Sequence, residues 1–555
     1  MRRLFQFLPF SFITARGAPP PRALARGRRF AALPSGRSLG PQALFLFLSL
    51  SPFVLLCTLN SAGYRYGASD LAFYIPAALE RLDPSLFPRD RALIASQARL
   101  TMIDETIAIL ARASRLTLPS LFAALYVLTL ALLLLGAWLI ARRLYRFAWT
   151  TMALAAALTL KHEIAKSGTN TLEGYFHPRQ LAFSLGTLAV AALMRRRFWI
   201  AAVLVIAGGM LHPTTALWFG IWLGVATWIN EPRWRPWLTA SAVVAIVAGM
   251  LLVTVGPLAG RLVIMDPEWL ATLVTKDYLF PLEWPAYVWF LNLAYLPVIW
   301  FIYRRRIAAG VVAPGETGIV FGCLSLVLVF AAALPLNAAR VALVIQLQIP
   351  RIFWMLDFLA VAYSCWALVE SGVFTRRRAA AVVCTLVLAS SARSAYIKFV
   401  RFPERPIAQI RVPDTDWGRA MAWARTTPHD SNWLAHPLHA VQYGSSLRVA
   451  GERDVFVEGV KDAAIGMYER DVAIRTRDRL LELQDYDGMT PDRARALAAT
   501  YGLDFMVSEE DLALPIAYSS GSLRVYRVRP DPGSRPSTRL RAALRLSKGR
   551  VPHPD

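Results

Sequence analysis

Eleven runs of apolar residues set what this chain can fold into. They centre on residues 42–60, 118–140, 147–160, 179–194, 198–211, 213–229, 238–257, 285–303, 319–335, 352–371 and 379–393. A helix needs about 20 apolar residues to cross a bilayer. The longer runs reach that length, while shorter ones such as "FAWTTMALAAALTL" extend into polar flanks, thin the bilayer or stop partway. Ten to twelve spans are therefore expected. Composition agrees: 56% of the 555 residues are hydrophobic and only 18% are charged. The mean hydropathy of +0.41 also lies on the membrane side of soluble domains.

A formal charge of +24 raises the question of nucleic acid. The basic residues, however, form short clusters between apolar runs: Arg142, Arg143 and Arg146; Arg195 to Arg197; Arg233 and Arg235; Arg304 to Arg306; Arg376 to Arg378. They read as topology signals, and nucleic acid is rejected as a partner. With eleven spans, every cluster falls on the side of the Arg-rich N-terminus, which is the cytoplasm by the positive-inside rule. The expected layout is a disordered basic cytoplasmic tail (1–40), a transmembrane domain (41–395), an external domain (396–530) and a second disordered basic tail (531–555). A multi-pass protein of a cytoplasmic membrane is expected, with its N-terminus inside and its C-terminal domain outside.

Cys57, Cys323, Cys365 and Cys384 lie within apolar runs and read as small hydrophobes, without metal or disulfide spacing. Residues 397–530 are different in kind. A helix is expected over "DTDWGRAMAWARTT", capped by Asp414 or Thr415, with Trp417, Met421 and Ala424 on one face. The strand "NWLAHP", the stretch "LRVAGERDVFVEG", helix through 461–485, the helix "PDRARALAATYG" and the strands "LDFMVS" and "SLRVYRV" follow. Such alternation predicts a small α/β domain without nucleotide-binding motifs. Its His429, His436 and His439 are irregularly spaced, with no acidic partner in register, and read as a non-metal loop.

The first external loop, residues 61–117, is too apolar for an ordinary loop. In "LAFYIPAALERL", Leu71, Ile75 and Leu79 share one helical face. A second amphipathic helix is expected over 91–115, with Leu100, Ile103, Ile107 and Leu110 in register and Asp104 and Glu105 on the solvated side. Two such helices form a platform on the membrane surface. Asp70 stands at its entrance, about ten residues past the first run.

These features together resemble the GT-C superfamily of membrane glycosyltransferases: an acid soon after the first span, two interfacial helices, about eleven spans and a C-terminal external domain. The segments "DLAFYIPAALERLDPSLFPRD", "YFHPRQLAFSLGTLA" and "TDWGRAMAWARTTPHDSNWLAHP" are similar to a bacterial branch of such proteins. Where the family commonly has an Asp-Glu pair, this chain has Ser69-Asp70-Leu71. The resemblance implies transfer of a hexosyl or pentosyl group from a polyprenyl-phosphate-linked donor to a glycan, lipid or protein acceptor outside the membrane. It implies Asp70 as general base and leaves a divalent cation open as a cofactor.

The departing phosphate needs fixed positive charge or hydrogen-bond donors. The candidate substrate-binding residues are Tyr74, His177, Arg179, His212, Arg340 and Arg351. Each has a duller reading. Asp70 can cap the helix that follows it. His177 and Arg179 can anchor in head groups, and His212 can be a hydrogen-bonded structural residue. Arg340 and Arg351 can pair with Asp357 or with loop acids. Two other functions compete: a transporter or flippase of lipid-linked saccharide, and a non-catalytic scaffold.

Overall fold

The computed structural model describes residues 39–529, so the tails expected at the two ends lie, but for Leu39 and Gly40, outside the described residues. The chain divides into residues 1–49, of which only the start of the first helix is described, and residues 50–555.

All eleven apolar runs are helical. They lie in Leu39–Asn60, Leu118–Leu144, Ala148–Leu158, Pro178–Leu193, Phe198–Leu211, Pro213–Asn230, Arg235–Thr254, the successive pair Ala286–Leu293 and Tyr295–Ala308, Glu316–Ala338, Ile352–Val369 and Arg376–Tyr396. Among the described residues, six helices are long and apolar enough to cross a membrane, counting pieces that run on from one another: Leu118–Leu144, Pro232–Thr254, Ala286–Ala308, Glu316–Ala338, Ala342–Val369 and Arg376–Arg401. The protein is mainly α, of polytopic membrane type. Ala148–Leu158 and Phe198–Leu211 are apolar but short. Pro178–Leu193 has 16 residues and carries Arg179 and Gln180 in its first turn.

That short polar-ended helix is central. It packs on Leu118–Leu144, Phe198–Leu211 and Pro213–Asn230. Gly186 makes one of these contacts, since a Cβ there would come within 2.3 Å of the Phe219 ring. Phe183 stacks on Trp354 at 3.8 Å, tying the same helix to Ile352–Val369. In lipid, where neighbouring chains are as apolar as the side chains, close packing of this kind holds helices together.

The first loop departs from expectation. Leu71–Leu82 is helical with Leu71 and Ile75 buried, but the helix expected over 91–115 is two, Arg91–Ala98 and Ile103–Ser114. The break falls at 99–102, where the Met102 N–H donates to the Met210 carbonyl at 2.8 Å. It resets the helical phase. Ile103 and Ile107 stay buried while Leu110 is exposed, and Asp104, expected in solvent, is buried. Arg81 covers it, its Nε donating to Asp104 at 2.7 Å and its other end pairing with Glu105 at 2.5 Å.

Near the C-terminus lies a small mixed sheet with strands β1 (Asn432–Leu434), β2 (Asp454–Val455), β3 (Phe505–Ser508), β4 (Ile516–Ser520) and β5 (Leu523–Arg527). Their spatial order is β2-β1-β3-β5-β4. β1 pairs in parallel with β2 and β3, and β5 runs antiparallel to β3 and β4. The preceding helix, Asp416–Ala424, is capped by Thr415, whose hydroxyl accepts from the Gly418 N–H, and buries Trp417, Met421 and Ala424. Pro491–Tyr501 ends on Gly502 in the left-handed conformation (φ +64°), the usual glycine helix stop. β4, with Ile516 and Ser519 exposed and its other residues half-buried, is not among the expected strands.

This region is clamped to the first loop. Tyr64–Arg65 pairs in parallel with Ala408–Gln409. The buried Asp90 accepts from Arg448 Nε at 2.7 Å and from Arg475, and Arg448 makes a two-pronged contact with Asp462 at 2.6 and 2.9 Å. Burial alone would raise the Asp90 carboxyl, but the two guanidinium groups hold it down at about 2.

Candidate functional site

Where the loop, the helix ends and the C-terminal region meet, a cavity of about 220 Å³ opens, and Asp70 borders it. Asp70 is at the N-cap position of Leu71–Leu82, yet its side chain makes no capping bond. It turns instead to partners on other elements, among them the Tyr175 hydroxyl, which donates to Oδ2 at 3.5 Å. Lys461 Nζ donates to Oδ1 at 2.6 Å, and His177 Nε2 lies 3.1 Å from Oδ2.

His177 caps Pro178–Leu193, accepting the Arg179 N–H on Nδ1 at 3.1 Å. That bond leaves the proton on Nε2, so the neutral imidazole donates to Asp70. Burial, helped by the Arg179 charge, pushes His177 down to about 3. For Asp70, burial alone would raise the carboxyl. Lys461, the His177 hydrogen bond and Arg179 outweigh it and hold Asp70 well below the usual carboxylate range. Asp70 is therefore ionised, with a quarter of its side chain open to the cavity.

The walls are basic. Arg179, buried, pairs with Glu173 at 3.2 Å. Lys276 donates to the Val460 carbonyl at 3.2 Å and pairs with no carboxylate among the described residues; burial and the nearby Lys461 lower it. Arg351 follows Gln348 in a short 3-10 turn. It is 92% buried, its Nε has no partner, and no carboxylate pairs with its guanidinium among the described residues. Asp357, its expected partner, is taken by His162 at 3.1 Å. Four cations thus border the cavity against one carboxylate.

Polar groups complete it. Tyr74, Tyr278 and Tyr468 line the space. Gln348 is buried there with Oε1 unpartnered, and it holds a left-handed backbone at φ +50°. Ser69, next to Asp70, does the same at φ +54°. Such non-glycine conformations cost of order 1 kcal/mol each and cluster at functional sites. His212 caps Pro213–Asn230, its Nδ1 accepting from the Thr215 N–H at 3.3 Å, and its ring also borders the cavity.

Of the residues singled out in the sequence, Asp70, Tyr74, His177, Arg179, His212 and Arg351 therefore share one cavity. Arg340 is not among them. It pairs with the loop acid Glu283 and lies 4.4 Å from the Phe280 ring centroid, outside the cavity lining. Lys276, Lys461, Tyr278 and Tyr468 are additions. They come from a loop and from the C-terminal region, and only tertiary docking brings them to Asp70.

A divalent cation fits this donor set poorly. The single carboxylate is already shared by Lys461 and His177, and three further cations face it. The arrangement suits an anion with several acceptor oxygens, such as a phosphate. Comparison with protein-family models and with curated proteins found no match.

Proposed function

We propose that the protein is a membrane glycosyltransferase of GT-C type, taking a sugar from a polyprenyl-phosphate-linked donor, and that the Asp70 cavity receives the donor phosphate. The observation that carries this reading is Arg351: a guanidinium buried without a counter-charge, facing a space bordered by an ionised carboxylate. A buried charge left unpaired is costly, and an arriving phosphate offsets that cost with paired hydrogen bonds.

The chemistry follows from the partners. An acceptor hydroxyl attacks the anomeric carbon, the bond from that carbon to the phosphate oxygen breaks, and polyprenyl phosphate leaves as an anion held by Arg351, Arg179 and Lys276. The hydroxyl proton passes to Asp70. In the free protein Asp70 is a weak base because Lys461 neutralises it. As the phosphate draws Lys461 toward itself, the carboxyl rises and takes the proton more readily. His177 stays neutral and holds the carboxylate in place.

Chain order supports an external site. Pro178–Leu193 begins at His177 and ends before Arg195 to Arg197, Phe198–Leu211 returns from there to His212, and Pro213–Asn230 leads back to Arg233 and Arg235. The cavity residues and the Arg clusters thus occupy opposite ends of the same helices, and the clustered ends are cytoplasmic under the positive-inside rule.

Asp70→Asn tests the reading. With the variant present at wild-type level, transfer of labelled sugar from a polyprenyl-phosphate donor in proteoliposomes falls at least 100-fold. Unchanged transfer removes Asp70 as base. Absence of transfer by the wild type, with donor moving between leaflets, identifies a flippase instead.

A further inference from the structure

A second cavity, of about 410 Å³, lies in the C-terminal sheet region and shares no lining residue with the first. Its volume is in the range of small-molecule sites, about 300–1,000 Å³. Its position follows from topology. β1 lies between β2 and β3, all three parallel, so the chain moves from β1 to one side and then crosses to the other. In open α/β sheets, ligands bind at such a reversal, outside the carboxyl ends of the strands. Ala435 and His436 directly follow β1, and Ser508, Glu509 and Glu510 end or follow β3.

The lining is fixed and acidic. Tyr443 stacks on Trp417 at 4.6 Å and donates to Glu509 at 2.8 Å. Tyr486 is anchored by a 2.5 Å bond to the Val507 carbonyl. His436 accepts the Leu438 N–H on Nδ1 at 3.0 Å, which leaves Nε2 as a donor. Asp487, Glu509 and Glu510 stand against this one histidine, and among the described residues neither Lys nor Arg borders the cavity. The Glu510 carboxylate has no partner among the described residues. The three carboxylates repel phosphates here, whereas the cations of the Asp70 cavity suit them.

Carboxylates that accept hydroxyl pairs, beside rings held rigid for C–H contact, match a hydroxyl-rich ring. We propose that this crevice binds a saccharide unit, favouring one with an ammonium group over a neutral one and rejecting acidic ones. The assignment stands on the crevice alone, so its failure leaves the Asp70 reading untouched.

The test uses full-length protein in a detergent without a sugar head group. Saturation-transfer NMR and fluorescence titration are run with the disaccharide of glucosamine, cellobiose and digalacturonic acid. The expected order of affinity is glucosamine disaccharide, then cellobiose, with digalacturonic acid not bound. Glu509→Gln with Glu510→Gln lowers affinity for the first at least tenfold and removes its advantage over cellobiose. Asp487→Asn, at a residue 89% exposed and so free of folding consequence, weakens the glucosamine disaccharide at least threefold. Arg340→Ala, at a residue outside both cavities, leaves the binding of all three sugars unchanged. Binding of none of the three sugars, tighter binding of digalacturonic acid, displacement by a lysine-rich peptide at lower concentration than any sugar, or folded variants that bind like wild type each overturn the proposal.

Discussion

Two of the arginines buried in the helical part of this protein, Arg306 and Arg351, are treated differently. Arg306 donates from Nε at 2.5 Å and Nη2 at 2.9 Å to Glu316, and Tyr363 donates to the same carboxylate at 2.8 Å. Arg351, nearly as buried, has no such partner. The first charge is compensated within the fold and serves architecture. The second has no counter-charge among the described residues, and the proposed function assigns it to an arriving phosphate.

The contrast makes opposite predictions for removing each charge. Arg306→Ala strands Glu316 and should cost about 3–5 kcal/mol, read as a large fall in Tm or loss of the monodisperse protein. A fall of under 1 kcal/mol would dissolve the distinction. Arg351→Met deletes a charge that the free protein does not pair, so its stability should be unchanged or higher by about 1 kcal/mol, with function lost.

A further prediction concerns His177 and pH. His177 titrates near 3 in the folded protein and near 6.5 when unfolded. Between those values the unfolded chain binds the extra proton, so stability falls as pH falls from 6.5 toward 3, by up to about 1.4 kcal/mol per unit. Above about pH 4 Asp70 adds little to this slope, and below that it steepens the decline. Its depressed carboxyl gives full stabilisation above its ordinary value of 3.8, lost only as pH falls further. His177→Gln keeps a donor for Asp70 and should flatten the decline in Tm between pH 6.5 and 4; an equally steep decline would show that His177 is not buried neutral. The smallest effect belongs to Arg340→Ala. That pair with Glu283 is partly exposed, so stability should change by under about 1 kcal/mol, with phosphate binding intact.

Much of this was legible in the sequence, and its limits are physical. Apolar runs fix helices because hydrocarbon leaves the backbone no other partner, and each expected run is helical. In the C-terminal region, Thr415 and Gly502 marked a helix start and a helix stop through local chemistry. The site was legible where residues flank helix ends: Asp70, His177, His212 and Arg351 all stand at such junctions. Arg340 has the same setting but turns to Glu283, a choice made by tertiary geometry. Lys461 and Tyr468 were beyond reach, because a local pattern cannot say which face of a C-terminal segment closes over a cavity 391 positions away from it in sequence. The buried Asp104 escaped for the same reason, since Arg81 on another helix neutralises it.

The most direct test of the central claim is equilibrium binding of a radiolabelled polyprenyl phosphate to purified wild type and Arg351→Met in nanodiscs, with Tm measured on the same samples. The expected result is saturable binding by the wild type, weakened at least 100-fold in the variant, whose Tm is equal or higher. Equal binding by both proteins, or a Tm in the variant that falls as far as that of Arg306→Ala, would contradict the assignment of Arg351 as the cation kept for a phosphate.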